Sequence, residues 1–133
     1  MTANNPGTSI AIPTWLYGHE PPTPLATSFA KYFENSIRED GLLAVAHHGV
    51  LYARGSAGTI QEIFQDAAQN YYKSVNYFSP MVFLDFGEYW SVKRPVKLML
   101  EGILDEEQES LVCFARDVRE AEEAIVSFRP PDT

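Results

Sequence analysis

The sequence predicts an α/β fold built on a mostly parallel sheet with helices on both faces. Two observations carry this. Short apolar runs alternate along the chain with apolar residues spaced about 3.6 apart, the alternation that produces β-α-β units. One passage, from Val50 to Tyr71, runs from an apolar strand through a glycine-punctuated loop into an amphipathic helix. Right-handed crossovers then follow from the handedness of strands and helices.

Met1 to Thr8 is a polar lead-in containing Asn5, Pro6 and Gly7. Ser9 to Ile12 is a short strand stopped by Pro13. Tyr17 to Pro24 is dense in Gly and Pro and must be irregular. Leu25, Phe29, Tyr32, Phe33 and Ile37 share one helical face, so a helix is expected over Leu25 to Ile37. Asp40-Gly41 is a break or kink, Leu42 to His47 resumes the helical pattern, and Gly49 ends it as a C′ glycine would. Strand Val50 to Ala53 and helix Thr59 to Lys73 follow. The stripe of that helix is Ile60, Ile63, Phe64, Ala67, Ala68 and Tyr71.

Met81 to Phe86 reads as an apolar strand behind Ser79-Pro80. Val96, Met99, Leu100, Ile103 and Leu104 make another helical stripe, and Asp105 to Glu109 an acidic turn. Leu111 to Ala115 is the last strand. Asp117 and Glu120 have capping-box spacing and open a final helix through Ala121, Ala124, Ile125 and Phe128.

The chain has 133 residues and 45% hydrophobic composition, enough for one domain with a packed core. The net charge of -8 excludes a nucleic-acid backbone or an anionic membrane as the main partner. An anionic ligand must therefore be held by a local site. The single cysteine, Cys113, excludes an intrachain disulfide and a thiolate metal cluster; it lies in an apolar run, as an inert core thiol does. No signal peptide, membrane span or lipidation motif is visible, so a soluble cytoplasmic protein is expected.

The loop of Gly55, Ser56, Ala57, Gly58 and Thr59 is the candidate phosphate site. Glycines let backbone amides approach an anion, and a helix N-terminus adds unpaired N–H groups and the positive end of a dipole. Glu62 has two readings. With Thr59 it fits a capping box; as a carboxylate in the first helical turn, beside the loop, it can orient water or stabilise a cationic transition state. Arg38 is either a solvated cation paired with Glu34 or Glu39, or a planar fork reaching a phosphate or sugar. Arg54 is a phosphate clamp or a solvent-facing strand end. His47-His48 and His19 invite a metal reading. Adjacent helical histidines diverge by about 100°, so a helix-end role for His47 and His48 is preferred. No metal site and no cofactor is expected. The aromatic pairs Tyr71-Tyr72, Tyr77-Phe78 and Tyr89-Trp90 suit core and subunit packing first, with stacking on a nucleobase as the unspecific alternative.

Arg54-Gly55-Ser56-Ala57-Gly58-Thr59-Ile60-Gln61-Glu62 resembles the Pro-Gly-Gly-x-Gly-Thr-x-x-Glu signature of the "Lonely Guy" type phosphoribohydrolases, also known as lysine-decarboxylase-like proteins. Ile10 to Pro13, Ile37-Arg38-Glu39 and Pro80 to Leu84 resemble that family's flanking strands and its arginine segment. The wording from Gly55 to Ala67 looks closest to a bacterial branch known as Rossmann-fold nucleotide-binding proteins. The resemblance implies a Rossmann-like three-layer α/β/α fold and a dimer. It implies hydrolysis of a nucleoside 5′-monophosphate to free base and ribose 5-phosphate. Gly55, Ser56, Gly58 and Thr59 would hold the phosphate, with Arg38 and Glu62 catalytic at the ribose. The oxocarbenium charge that builds as an N-glycosidic bond breaks is what a fixed carboxylate stabilises. Two positions depart from the signature: Arg54 stands for proline and Ser56 for glycine.

The resemblance spans nearly the whole chain but covers only the back part of the family's domain, so the fold is expected to be truncated in its N-terminal half. The first strand of a doubly wound sheet lies at its centre. The gap is expected to close by moving Ser9–Ile12 beside Val50–Ala53, or by pairing with a second copy or partner chain. The alternative function is a non-catalytic nucleotide-binding or assembly module that needs such a partner.

Overall fold

The computed structural model describes residues 7–15, 23–74 and 77–131. Most of the polar lead-in and of the Gly/Pro-dense segment, with His19, lies outside the described residues. The architecture is mixed α/β with short parallel sheets, and the chain divides into two compact units, Met1–Leu42 and Leu43–Thr133.

In the first unit, β1 (Ile10–Ala11) pairs in parallel with β2 (Ser28–Phe29), and a bridge joins Thr14 to Tyr32. The strand expected at Ser9–Ile12 therefore takes Ser28–Phe29 as its neighbour rather than Val50–Ala53. It also corrects the helix expected over Leu25 to Ile37. Thr27 Oγ1 donates to Ser9 O at 2.7 Å and accepts from Ser9 N at 2.9 Å, and Ser28 N donates to the same carbonyl at 3.2 Å. Hydroxyl side chains offering such bonds compete with helix formation. The apolar stripe of Leu25, Phe29 and Phe33 is exposed, so no core rewards a helix there.

Helix α1 (Asn35–Val45) starts later and runs unbroken through Asp40-Gly41. Gly41 sits inside this helix without interrupting it. The helix ends at Val45 rather than His47. Gly49 does not act as its C′ residue: it closes the following turn, donating to Ala46 O at 2.9 Å with φ +118°.

The second unit carries a three-stranded parallel sheet in the order β3 (Val50–Tyr52), β4 (Met81–Leu84), β5 (Val112–Ala115). Tyr52, Phe83 and Phe114 are in register across it, and their rings stack at 5.0 and 4.7 Å. Such cross-strand aromatic ladders lock register. Successive side chains of β4 alternate between two apolar clusters. Met81 and Phe83 join Tyr52 with Ile63 and Ala67 of α2 (Ala57–Tyr71), and with Trp90, Val96, Leu100 and Leu104. Val82 joins Ala115 and Ala121, against which Ala124 and Ile125 of α5 (Val118–Val126) pack.

The rest of this unit differs in detail from the expected elements. A π-helical segment (Tyr89–Lys93) follows β4, and α3 (Val96–Glu101) buries Val96 and Leu100 while Met99 and Ile103 are exposed. The acidic turn is a helix, α4 (Glu106–Glu109), opened by a complete capping box: Asp105 accepts from Gln108 N, and Gln108 Oε1 accepts from Asp105 N. At α5 the box is half made. Asp117 accepts from Glu120 N at 2.9 Å, but the Glu120 carboxylate turns to Arg116 N at 2.8 Å. Among the described residues, no helix is long and apolar enough to cross a membrane.

Candidate functional site

The glycine loop lies at the carboxyl end of β3, where parallel sheets present ligand-binding loops. Helix α2 begins two residues earlier than expected. Ser56 is its N-cap and makes no side-chain capping bond. Ile60 N donates to Ser56 O at 3.1 Å, closing the first turn. The amides of Ala57, Gly58 and Thr59 thus belong to the helix start, where N–H groups have no intrahelical acceptor.

This corrects the Thr59–Glu62 capping box. Thr59 is the third helical residue, and its side chain folds against Gly55, where any Cβ would collide with Thr59 Oγ1 and Cβ. That packing, which only glycine allows, prevents Thr59 from standing outside the helix as its cap. Glu62 consequently sits in the second turn, not the first. It is half-buried, and its charge reaches the Tyr52 phenol. A Cβ at Gly58 would meet nothing within 4 Å, so there is open space beside this residue of the first turn.

Arg54 is exposed just past the end of β3, as the strand-end reading has it. Its guanidinium donates to Phe86 O and lies 5.3 Å from the Tyr89 ring centroid. Tyr89 Oη in turn donates to Gly55 O at 2.6 Å. The loop is therefore pinned to the segment that leaves β4. Asp85 shapes that segment. Buried at the end of β4, it accepts from Trp90 N at 2.6 Å, Ser91 N at 3.0 Å and Ser91 Oγ, capping the π-helical turn. Gly87, at φ +66°, supplies the left-handed residue of the turn closed by Glu88 N on Asp85 O.

Beneath the loop runs a buried polar chain that the sequence reading passed over. Tyr52 Oη donates to Asp66 Oδ2 at 2.6 Å, and Asn70 Nδ2 donates to Asp66 Oδ1 at 3.1 Å. Asn70 Oδ1 accepts from Ser79 N at 2.9 Å. Burial pushes the Asp66 carboxyl up to about 6, with the Tyr52 hydrogen bond pulling the other way. Burial, then the Asp66 charge, drives the Tyr52 phenol far above its ordinary value. The signal was available: Asp66 and Asn70 stand four apart beside Ile63 and Ala67, polar residues on a core-facing stripe.

Arg38 lies in the first unit and the loop with Glu62 in the second. Arg38 is half-buried; it donates to Ile12 O at 3.2 Å and to Asn35 Oδ1 at 2.6 Å, tying α1 to the end of β1. His47 Nδ1 meets Tyr77 Oη at 3.0 Å, beyond the end of α1. Of the aromatic pairs, Tyr77, Phe78 and Trp90 are buried, whereas Tyr71 and Tyr72 are exposed.

Chemically, the second unit presents a helix start with no side-chain cap, glycine before the cap and in the first turn, cations beside it and a carboxylate one turn further on. No protein-family model and no curated protein matches the chain.

Proposed function

We propose that the second unit is the core of a Rossmann-like three-layer α/β/α domain that binds the phosphate of a nucleoside 5′-monophosphate at Gly55, Ser56, Ala57, Gly58 and Thr59. The reaction proposed is hydrolysis of the N-glycosidic bond. One observation carries the reading: the first turn of α2, which follows a parallel strand, has no side-chain cap on its amides. Layering is supported by the side chains of β4, which feed one cluster shared with α2 and α3 and another shared with α5. Glu62, as the fixed carboxylate, stabilises the developing oxocarbenium charge.

Titration with AMP, followed by amide chemical shifts, tests the reading. Shifts concentrated on residues 55–59 support it. Uniform shifts, or none at millimolar nucleotide, overturn it.

A second reading, an assembly module completed by a second copy or partner chain, is favoured by a different observation. Leu25, Phe29 and Phe33 are exposed by 82, 71 and 71% in the first unit. Phe33 stacks at 5.8 Å on Trp15, itself exposed, and adjoining exposed apolar side chains mark interaction surfaces. Sedimentation equilibrium at low micromolar concentration tests it: a dimer supports assembly, and a monomer that unfolds cooperatively overturns it.

A further inference from the structure

We infer that Arg54, Lys93 and Arg94 form a second anion subsite beside the glycine loop, so that the preferred ligand carries two linked phosphates rather than one. This rests on the loop binding the first phosphate, as proposed above.

Arg54 reaches the segment that leaves β4, which itself carries Lys93 and Arg94. The Arg54 and Arg94 guanidinium carbons lie 5.3 and 5.7 Å from the Tyr89 ring centroid. A Cβ on Gly87 would lie 3.4 Å from Arg54 Nη2 and 3.8 Å from Lys93 Nζ. The same Tyr89 touches the loop through its bond to Gly55 O. Three of the ten Lys and Arg residues in a chain of net charge -8 thus lie around Tyr89 and Gly87, beside the glycine loop.

Their positions are built rather than incidental. Asp85 holds the start of the π-helical segment, and Lys93 N and Arg94 N donate to Glu88 O and Tyr89 O at 3.0 and 2.8 Å. None of the three cations is in an ion pair among the described residues, while Lys97 and Arg116 pair with Glu101 and Glu120. Arg54 spends one of its donors on Phe86 O, and Arg has five. Unpaired guanidinium and ammonium groups at one edge suit phosphate oxygens, whose charge-assisted hydrogen bonds are strong.

The test compares inorganic phosphate with pyrophosphate on the full chain, without divalent cations, by calorimetry and amide shifts. Pyrophosphate should bind about tenfold more tightly, the effect expected of an added charge-assisted contact. Lys93→Gln with Arg94→Gln should abolish that advantage and leave phosphate affinity unchanged. Lys97→Gln with Arg129→Gln removes the same charge elsewhere and should keep the advantage. Equal affinity for the two anions, with shifts at residues 55–59, overturns the subsite and leaves the loop reading standing. An advantage lost equally in both double variants reduces it to net charge and overturns the subsite. No shift at residues 55–59 with either anion overturns both.

Discussion

Tyr52 Oη donates a 2.6 Å hydrogen bond to Asp66 Oδ2, and both side chains are buried where β3 meets α2. The pair anchors the strand that carries the glycine loop to the helix that the loop opens. It also makes stability depend on pH. The folded carboxyl of Asp66 titrates near 6 and its ordinary value is 3.8. Between these values the folded state binds more protons than the unfolded state, so this group's contribution falls as pH rises through 4 to 6 and is level above. The full change is about 3 kcal/mol. Urea denaturation of wild type and Asp66→Asn at pH 4 and pH 7 measures most of it: the difference between them should shift toward the variant by about 2 kcal/mol from pH 4 to pH 7. A difference independent of pH would show that Asp66 is ordinary in the folded protein.

Tyr52→Phe acts on the same pair from the other side. It removes the hydrogen bond that holds the Asp66 carboxyl down, leaving the charged form buried with less support. The loss should be about 1–3 kcal/mol at pH 7 and smaller at pH 4. An equal loss at both pH values would assign the effect to ring packing against Phe83 instead.

The two loop glycines should respond in opposite directions. Gly55→Ala drives a Cβ into Thr59 and should destabilise by about 1–3 kcal/mol. Gly58→Ala places its methyl in open space inside a helix, and should stabilise by a few tenths to about 1 kcal/mol. The same methyl obstructs an anion on the first-turn amides, so phosphate binding should weaken as the melting temperature rises. Unchanged phosphate affinity in Gly58→Ala would remove that residue from the site.

The parallel strands of the second unit and helix α2 are legible in the sequence because burial there follows simple periods. Val50 to Tyr52 and Met81 to Leu84 are short apolar runs, and Ile63 with Ala67 marks the core face of α2. What escapes sequence reading is decided by tertiary contacts. Leu25 to Phe33 has a helical period, yet the bonds of Thr27 and Ser28 to Ser9 make a strand. Ser56 and Thr59 are equally good caps by residue type, and the packing of Thr59 on Gly55 chooses between them. Arg54 and Tyr89 lie far apart in sequence, so their meeting at the loop has no local signal. Asp66 reads as one more solvated carboxylate until its position on the stripe is weighed.

Asp85 tests how the cation-bearing turn is held. Asp85→Ala leaves the Trp90 and Ser91 amides without their acceptor, beside a fully buried indole. A loss of about 2–4 kcal/mol is expected, since hydrogen bonds to a charged acceptor are the stronger kind. Amide exchange at Trp90 and Ser91 should accelerate more than at Met81 to Leu84. Uniform acceleration across both segments would mean that Asp85 supports the whole unit and not this turn.

Glu62 separates an enzyme from a binding module. It lies in the second turn of α2, past the capping position, so charge rather than capping is its distinguishing property. Glutamine keeps its size and hydrogen-bonding reach and removes the negative charge that would face an oxocarbenium-like transition state. If the chain, or its assembled form, hydrolyses nucleoside monophosphates, Glu62→Gln should lower kcat by roughly 100-fold or more, in line with losing one preorganised electrostatic group. AMP affinity should stay nearly constant, because the phosphate is held by amides three to five residues away. Release of ribose 5-phosphate, measured beside calorimetric binding on the same samples, distinguishes the cases. Turnover that is equal in wild type and variant makes Glu62 structural. Wild-type binding at residues 55–59 with no turnover leaves the loop as a nucleotide-binding element, and the chain as a module whose chemistry, if any, is supplied by a partner.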